Sequence, residues 1–273
     1  MSQAQQGKHG IYHLRGVRKS FDGHRVLHGV DLDLHRGETL GIIGPSGAGK
    51  SVLLKCMVAL SPIDEGELYF DGKSVPDMDS DEQLLLRRRV GLLFQSGALF
   101  NSITVQQNLE YGLRERFFRT MKKAQIEERV AWALKSVGLP LSEVATMPAD
   151  LSGGMQKRVG IARTLITRPE VVLYDDPTQG LDPPNAHLIS DLIAELRQTL
   201  GVTSIVVSHD LRTVFTVCNR VAFLHDGRVM ETGAPEELVR SNNAMVRDFV
   251  LGHPPEEPFD PLQAQAPEPW NKQ

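Results

Sequence analysis

Apolar residues recur with regular spacings along the chain, and these spacings predict its secondary structure. Val30, Leu32 and Leu34 alternate with two aspartates, which predicts a half-buried strand. Short apolar runs bounded by turn residues predict further strands at residues 38–43, 67–70, 90–94, 171–174, 203–207 and 220–224. Predicted strands are therefore distributed over most of the chain.

A helical spacing replaces this pattern from residue 101 to about residue 167. The apolar series in this region are Val105, Leu109, Leu113 and Phe117, followed by Ile126, Val130, Ala133, Leu134 and Val137. A later amphipathic helix is predicted with Leu188, Ile189, Leu192, Ile193, Leu196 and Leu200 on one side. Strands that alternate with helices imply an α/β domain with a largely parallel sheet covered on both faces, and the region 101–167 is interpreted as a helical insertion.

Composition narrows the class of protein. The 273 residues are enough for one large α/β domain with a subdomain, and the net charge of −4 offers no basic surface for nucleic acid. Cys56 and Cys218 are far apart in sequence, so we expect buried thiols of a reducing compartment instead of a disulfide. No apolar run of about 18 residues occurs, which predicts a cytosolic protein without a membrane span of its own.

The last part of the chain differs in composition from the rest. After Gly252 the sequence is rich in proline, and a segment with so few apolar residues is expected to be disordered on its own. The simplest interpretation is a solvated tail. The alternative is that Phe259, Leu262 or Trp270 anchors this tail on a partner.

One glycine-rich segment carries the strongest chemical signal. Its residues are Gly44, Pro45, Ser46, Gly47, Ala48, Gly49, Lys50 and Ser51, which fit the pattern G-x-x-x-x-G-K-[ST]. A predicted strand (38–43) enters this loop and a predicted helix (50–60) leaves it, so the helix N-terminus points at the bound phosphates. We therefore expect a P-loop that binds ATP or GTP, although a glycine-rich turn without a ligand would read similarly.

A second motif runs from Leu151 through Ser152, Gly153 and Gly154 to Met155 and opens a predicted helix. Alone, it is typical of a helix start capped by a serine. Together with the upstream P-loop, it makes residues 11–240 resemble the ATP-binding cassette (ABC) ATPases, whose signature is Leu-Ser-Gly-Gly.

The resemblance implies a fold class and domain boundaries. The expected fold is a RecA-like P-loop NTPase core with a mixed, largely parallel sheet, an N-terminal antiparallel β subdomain and an inserted α-helical subdomain. The implied boundaries are a flexible N-terminus at 1–10, an ABC ATPase domain at 11–250 with its helical subdomain at about 98–167, and the tail at 251–273.

The resemblance also implies roles for individual positions. Lys50 is expected to contact the β- and γ-phosphates, and His209 to contact the γ-phosphate as the switch histidine. Ser51, Gln95 and Asp175 are expected to hold Mg²⁺, an ion that prefers oxygen ligands, and Gln95 also to sense the attacking water. A histidine alone is more often a surface residue, so the role of His209 depends on its neighbours.

The resemblance assigns further residues to ATP. These are the P-loop residues 44–51, Gln95, the signature residues Ser152, Gly153 and Gly154, Asp182 of the D-loop, and Phe21. Phe21 lies upstream of the P-loop, where the family places an aromatic residue that stacks on adenine. A hydrophobic residue at the end of a strand is the alternative interpretation of Phe21.

Asp176 departs from the family pattern. The family usually has glutamate after the Walker B aspartate, as a base or a residue that positions water, and here a shorter aspartate stands at that place. The side chain reaches about 1 Å less far, and displacements of this size can cost about a hundredfold in rate. Catalysis by Asp176, His209, Gln95 and Lys50 is therefore expected at a reduced rate, and the alternative is a clamp that closes on ATP with little hydrolysis.

The resemblance predicts partners. Each ATP would lie between the P-loop of one copy and the signature of another, which implies a homodimer with two sites. A separate integral-membrane permease is expected to dock in an apolar groove near Gly97–Phe100, Ile103 and Phe117–Phe118, unless those residues pack inside the helical subdomain. The expected location is the cytoplasmic face of the bacterial inner membrane.

The residues at several motif positions resemble those of one branch of the family. The similarity is to MlaF-type ATPases of bacterial MCE-protein transporters and covers residues 94–100, 102–105, 152–159 (with Met155, Lys157 and Arg158) and 173–174 before the two aspartates. This resemblance implies a permease like MlaE, an MCE substrate-binding protein as an indirect partner, and phospholipid or another hydrophobic cargo.

Two other classes of function stay open. An ATPase of a polar-solute importer would share nearly every catalytic residue. An ABC protein of DNA repair or translation would usually carry two cassettes or a long coiled-coil insertion, whereas this chain has one cassette. Simple P-loop kinases and GTPases lack the Leu-Ser-Gly-Gly motif.

Overall fold

A computed structural model describes residues 10–95, 97, 99–114 and 121–252 of the chain. The strands are β1 (Tyr12–Phe21), β2 (His24–Leu34), β3 (Thr39–Ile43), β4 (Glu65–Phe70), β5 (Lys73–Ser74), β6 (Val90–Leu93), β7 (Val171–Asp175), β8 (Thr203–Val207), β9 (Arg220–His225) and β10 (Arg228–Gly233). The helices are α1 (Lys50–Met57), α2 (Ser80–Arg89), α3 (Val105–Arg114), α4 (Lys123–Ser136), α5 (Gly153–Leu165), α6 (Pro183–Leu200), α7 (Leu211–Val217), α8 (Pro235–Val239) and α9 (Ala244–Leu251). Short 3-10 turns occur at Leu141–Ala145 and Pro148–Asp150.

The central sheet has six strands in the order β10-β9-β3-β8-β7-β6. All neighbouring pairs are parallel except β9 with β10. The carboxyl ends of β3, β7 and β8 therefore lie at one edge, where open α/β sheets bind ligands. The predicted mixed, largely parallel sheet is confirmed.

Successive residues of the central strands enter two different cores. In β3, Leu40 and Ile42 pack with the four-stranded antiparallel sheet β2-β1-β4-β5 and with α1, whereas Ile43 packs with the helices on the other face. In β7, Leu173 and Tyr174 are divided in the same way. This division follows from the two-residue period of a strand and confirms that both faces are covered.

The helical insertion predicted between β6 and β7 is present as α3, α4, α5 and the two 3-10 turns. Val105, Leu109 and Leu113 are buried, as the four-residue spacing predicts, and Phe117 lies outside the described residues. Two expectations for α6 are wrong, because Leu188 is 48% exposed and Leu200 is 38% exposed. Leu188 lies about 100° around the helix from its buried neighbour, and Leu200 is the last helical residue before a left-handed Gly201.

Some predicted boundaries shift by a few residues. α1 ends at Met57 instead of residue 60, and the following Ala59 has a left-handed φ of 53°. β6 ends at Leu93, which leaves Phe94 outside the strand and 37% exposed. Cys56 and Cys218 are free and buried as expected, and burial raises the pKa of the Cys56 thiol to about 11. In the part of the chain that the structure describes, no helix is long and apolar enough to cross a bilayer.

Four charged side chains connect the antiparallel sheet with the central sheet. Arg36 contacts Asp71 at 2.6 Å and Glu170 at 3.1 Å, and Arg89 contacts Glu170 at 2.5 Å and Asp71 at 2.6 Å. Hydrogen bonds from Arg89 are the main cause that lowers the pKa of both carboxyl groups. These groups therefore stabilise the fold above the ordinary carboxyl pKa of about 4, and this contribution is lost as the pH falls through their lowered pKa values.

We expect Arg89→Met to lower the free energy of unfolding at pH 7 by about 1 kcal/mol, a modest value because the paired side chains are more than a third exposed. The variant should also lose less stability than the native chain when the pH falls below about 4, because the proton uptake by Asp71 and Glu170 is then weakly linked to unfolding. Urea unfolding at pH 7 and pH 3.5 measures both effects. Exposed Arg228→Met is the matched control, and equal pH dependence of the native and Arg89→Met chains would contradict the expectation.

Candidate nucleotide-binding site

The glycine-rich loop lies between β3 and α1, as the motif predicts. Gly44 has a φ of 147°, and a Cβ atom there would lie 1.9 Å from the carbonyl oxygen of Leu224. Gly49, with a φ of 99°, precedes α1, whose N-terminus has no side-chain cap. The first N–H groups of α1 are therefore not satisfied by a capping side chain and can bind an anion.

Gly44→Ala is expected to weaken nucleotide binding at least about tenfold, because the loop or β9 must move to admit the methyl group. The measurement is a titration with a fluorescent nucleotide analogue. Gly72→Ala is the control for backbone strain alone, since Gly72 has a φ of 78° but no atom within 4 Å of an added Cβ. Equal nucleotide affinity in the two variants would show that the close approach at Gly44 does not shape the loop.

Lys50 is held inside the loop by backbone oxygens. Its Nζ donates hydrogen bonds to the carbonyl oxygens of Gly44 at 2.7 Å and Pro45 at 2.8 Å, and the side chain is only 5% exposed. Burial lowers the pKa of the Lys50 ammonium, whereas the nearby charges of Asp176 and Asp175 act in the opposite direction. The loop therefore presents a cation that is partly desolvated and has carbonyl partners that phosphate oxygens can replace.

The side chains of Ser51 and Asp175 are hydrogen-bonded to each other beside the P-loop. The Ser51 hydroxyl donates to Asp175 Oδ1 at 2.8 Å, and Asp175 ends β7 with 6% of its surface exposed. Burial is the main cause that raises the pKa of Asp175, and the Asp176 charge adds to it, while the hydrogen bond from Ser51 lowers it. A hydroxyl and a buried carboxylate are oxygen donors of the kind that Mg²⁺ prefers, so these two residues fit that ion.

Asp176 lies beside Ser208 and His209. Its carboxylate accepts a hydrogen bond from the Ser208 hydroxyl at 3.2 Å and lies 3.8 Å from His209 Nε2. Its N–H donates to the carbonyl of Val207 at 2.8 Å, and its φ of 49° is in the left-handed region, which aspartate tolerates better than most residues. Asp176 is thus a buried carboxylate whose neighbours Val207, Ser208 and His209 lie at the end of β8 and directly after it.

A cavity of about 390 Å³ joins these groups. Its lining includes Ser46, Gly47, Ala48, Gly49, Lys50, Ser51, Gln95, Asp175, Asp176 and His209. The structure therefore brings most of the predicted residues together. It also places Val26, Gln179 and Val207 in the lining, which the motifs did not single out.

Phe21 is not among the lining residues of this cavity. It ends β1 with 45% of its surface exposed, and Lys19 Nζ lies 5.2 Å from the centre of its ring. Val26, in the next strand, lines the cavity. The structure therefore places Phe21 as an exposed aromatic residue at a strand end, and its contact with adenine stays a prediction.

The signature motif begins α5 as predicted. Ser152 caps this helix by accepting a hydrogen bond from the N–H of Met155 at 3.3 Å, and Asp182 caps α6 by accepting from the N–H of Asn185 at 2.9 Å. The two helix starts touch, because a Cβ on Gly154 would lie 2.9 Å from Asn185 Oδ1. Ser152, Gly154 and Asp182 are absent from the lining of the P-loop cavity. Gly153 lines a neighbouring cavity of about 630 Å³, together with Ser51, Gln95 and Lys157.

A family model described as "ABC transporter" matches residues 27–179. This chain belongs to the ABC transporter family. Among its relatives, "Protein TRIGALACTOSYLDIACYLGLYCEROL 3, chloroplastic" of Arabidopsis thaliana is 40% identical over 87% of this chain and 72% of its own length. The "Methionine import ATP-binding protein MetN" of Thermobifida fusca is 37% identical over 90% of this chain and 74% of its own. The "Glutamine transport ATP-binding protein GlnQ" of Escherichia coli is 38% identical over 88% of this chain and 98% of its own.

Solved ABC structures share the architecture. The dimeric post-hydrolysis state of the ATP-binding cassette MJ0796 bound to ADP and Pi is 33% identical and covers 82% of this chain and 98% of that chain, with a TM-score of 0.75. The structure of cbiO1 from Clostridium perfringens, described as part of the ABC transporter complex cbiONQ, is 30% identical and covers 88% of this chain and 95% of that chain, with a TM-score of 0.78. The predicted ABC ATPase fold is confirmed, and the chain is an ABC-type ATPase.

Proposed function

We propose that two copies of this ABC ATPase bind two ATP molecules with Mg²⁺ at their interface, and that the closing of this dimer drives a separate membrane permease. The observation that carries the proposal is the division of the expected ATP contacts. Lys50 and Ser51 line the P-loop cavity, whereas Ser152 and Gly154 of the same chain do not. A second copy can supply the missing signature residues through a two-fold axis. The dimeric MJ0796 structure, described as bound to ADP and Pi, supports this arrangement.

The residues suggest a division of labour in hydrolysis. Lys50 and the N–H groups of the loop bind the phosphates, and Ser51 and Asp175, together with Gln95, hold Mg²⁺. When bound, Mg²⁺ supplies positive charge that stabilises the charge developing on the phosphate oxygens. Asp176, held by Ser208 and adjacent to His209, orients the attacking water and accepts its proton.

Light scattering tests the dimer directly. With ATP and Mg²⁺, the hydrolysis-impaired variant Asp176→Asn should change from monomer to dimer, and the same variant with Ser152→Phe should stay a monomer because the ring obstructs the shared site. Ser80→Phe, at the exposed start of α2, is the matched control and should still dimerise. A Ser152→Phe chain that dimerises as readily as the control would contradict the proposed interface.

A groove on the helical subdomain suits the permease. Phe100, Ser102, Ile103, Gln107 and Tyr111 line a cavity of about 320 Å³. The rings of Phe100 and Tyr111 pack against each other with their centres 4.7 Å apart and remain 42% and 45% exposed, whereas Leu99 packs against the core of the helical side. Exposed aromatic residues beside a groove are typical of a helix-docking site, which would locate the protein at the cytoplasmic face of the membrane. Phe117 and Phe118 lie outside the described residues.

The cargo that the relatives favour is a polar solute. Several of them are named as ATP-binding proteins of methionine import, of spermidine and putrescine import, or of glutamine transport. We therefore propose import of a polar solute as the first candidate, with a solute-binding protein as an indirect partner.

Phospholipid transport with an MlaE-like permease and an MCE protein is the second candidate. It is supported by the motif residues Met155, Lys157 and Arg158, which resemble those of the MlaF-type branch. The name of the Arabidopsis relative also contains the name of a galactolipid. Affinity purification from native membranes, with mass spectrometry of the partners and lipids, decides between the candidates. A solute-binding protein supports the first, and an MCE protein with bound phospholipid supports the second.

A further inference from the structure

One side of α5 holds the loop that carries Gln95. Lys157 Nζ donates a hydrogen bond to the carbonyl oxygen of Gln95, and Arg163 Nη2 donates to the carbonyl oxygen of Gly97 at 3.2 Å. Gly160 lies between them on the helix, and a Cβ there would be 3.2 Å from the same Gly97 oxygen. The helix therefore approaches this loop at three positions spaced three residues apart along one side, and the first and last of them are cations.

Lys157 is an unusual residue for this place. Its side chain is 7% exposed, and burial lowers the pKa of its ammonium group, an effect that the nearby negative charge of Asp176 opposes. Within the described residues it forms no ion pair, and its hydrogen-bond partner is the Gln95 carbonyl. An apolar side chain of similar length would fill the space without the cost of burying a charge. The ammonium group must therefore contribute something that packing does not.

We propose that Lys157 couples the two nucleotide sites of the dimer. The inference rests on the proposed function, because only in a two-fold dimer do the two ends of this connection serve different nucleotides. The N-terminus of α5 carries Ser152, which would face the ATP of the partner copy. Gln95 lines the P-loop cavity of its own chain and would face its own ATP.

The connection is short and stiff. Lys157 lies in the second turn of α5, five residues after Ser152, and joins that helix to the Gln95 backbone by a charge-assisted hydrogen bond. When the partner's ATP draws the start of α5 towards it, the hydrogen bond moves Gln95 relative to Ser51 and Asp175. ATP in one site thereby favours the active arrangement of the other, which is a coupling free energy between sites. Lys157 acts as a positioning residue and needs no contact with ATP.

The test compares full-length Lys157→Met, Lys157→Arg and the control Lys123→Met, a change of an exposed lysine on α4. We expect the native dimer to hydrolyse ATP with a Hill coefficient above one. In Lys157→Met the Hill coefficient should fall to about one and kcat about tenfold, because each site then works alone. ATP affinity of the monomer, measured at low protein concentration, should stay within about twofold, since the P-loop is intact. Lys157→Arg keeps a cationic donor and should restore part of the cooperativity, and Lys123→Met should match the native chain.

The outcomes separate the inference from the proposed function. If Lys157→Met keeps the native Hill coefficient, the coupling role is wrong while the dimer stands. If it loses monomer affinity and cooperativity together, the residue is merely structural and the inference is again wrong. If the native chain stays a monomer with ATP, the proposed dimer itself is wrong. Lys157→Gln, a shorter neutral donor, replaces Lys157→Met if the latter does not fold, with the same expected loss.

Discussion

Lys50→Met should reduce ATP hydrolysis by at least about a hundredfold while the chain stays folded. The buried ammonium is the cation inside the P-loop, and its hydrogen bonds to Gly44 and Pro45 are available for exchange with phosphate oxygens. Removing one preorganised donor that stabilises developing charge costs about 10²–10³ in rate. Stability should change little, because methionine has a similar length and removes the cost of burying a charge.

Steady-state phosphate release and thermal unfolding provide the two measurements for Lys50→Met. Lys123→Met removes an exposed lysine of the same chain and should retain native hydrolysis. A Lys50→Met chain that hydrolyses ATP within about threefold of the native rate would show that Lys50 does not stabilise the transition state.

Asp176→Glu should raise turnover, with an expected increase of about tenfold to a hundredfold. The Asp176 carboxylate is fixed by Ser208 at 3.2 Å and faces His209 at 3.8 Å, so it cannot extend towards the nucleotide without losing its neighbours. One additional methylene group moves the carboxylate about 1 Å closer to the attacking water, and such distances strongly affect rates. Asp176→Asn should instead lower turnover, because the amide cannot accept the proton.

The measurement is phosphate release by the native chain and both variants, with and without the copurified permease. Asp81→Glu, a longer carboxylate at the exposed start of α2, is the control and should leave turnover unchanged. Thermal unfolding identifies any overpacking by the longer side chain, since Asp176 is only 6% exposed although it borders the P-loop cavity. Unchanged or lower turnover in a stable Asp176→Glu chain would refute the view that the short side chain limits hydrolysis.

Patterns in the sequence predict those structural features that are determined by residues close together in the chain. The P-loop can be predicted because Gly44 and Lys50 lie in the same short loop and interact with each other there. The strand before this loop is a continuous apolar run. The cap at Ser152 can be predicted for the same reason. The helical insertion follows from a four-residue spacing that Val105, Leu109 and Leu113 confirm by their burial.

Features that depend on tertiary contacts could not be predicted from the sequence. Leu188 follows the apolar series of α6, yet it is about half exposed, because burial depends on the elements around a helix as well as on its own pattern. The buried Lys157 reads in the sequence as one of several basic residues of a solvated helix. Its contact with Gln95 joins residues 62 positions apart, and no local spacing indicates it. The lining role of Val26 likewise depends on how β2 passes the P-loop.

Alternate residues of β3 and β7 pack into separate cores, and this affects how the protein unfolds locally. Leu40 and Ile43 are close in sequence, yet each is surrounded by a different set of neighbours, and the shared backbone ladder is the main connection between the two sets. Opening of the helical half can therefore proceed as a cooperative event of its own, while amide protons of the nucleotide-side half keep their protection from solvent exchange. Movements of α3 and α4 thus need not disturb the P-loop, which lies on the other side of the sheet with α1.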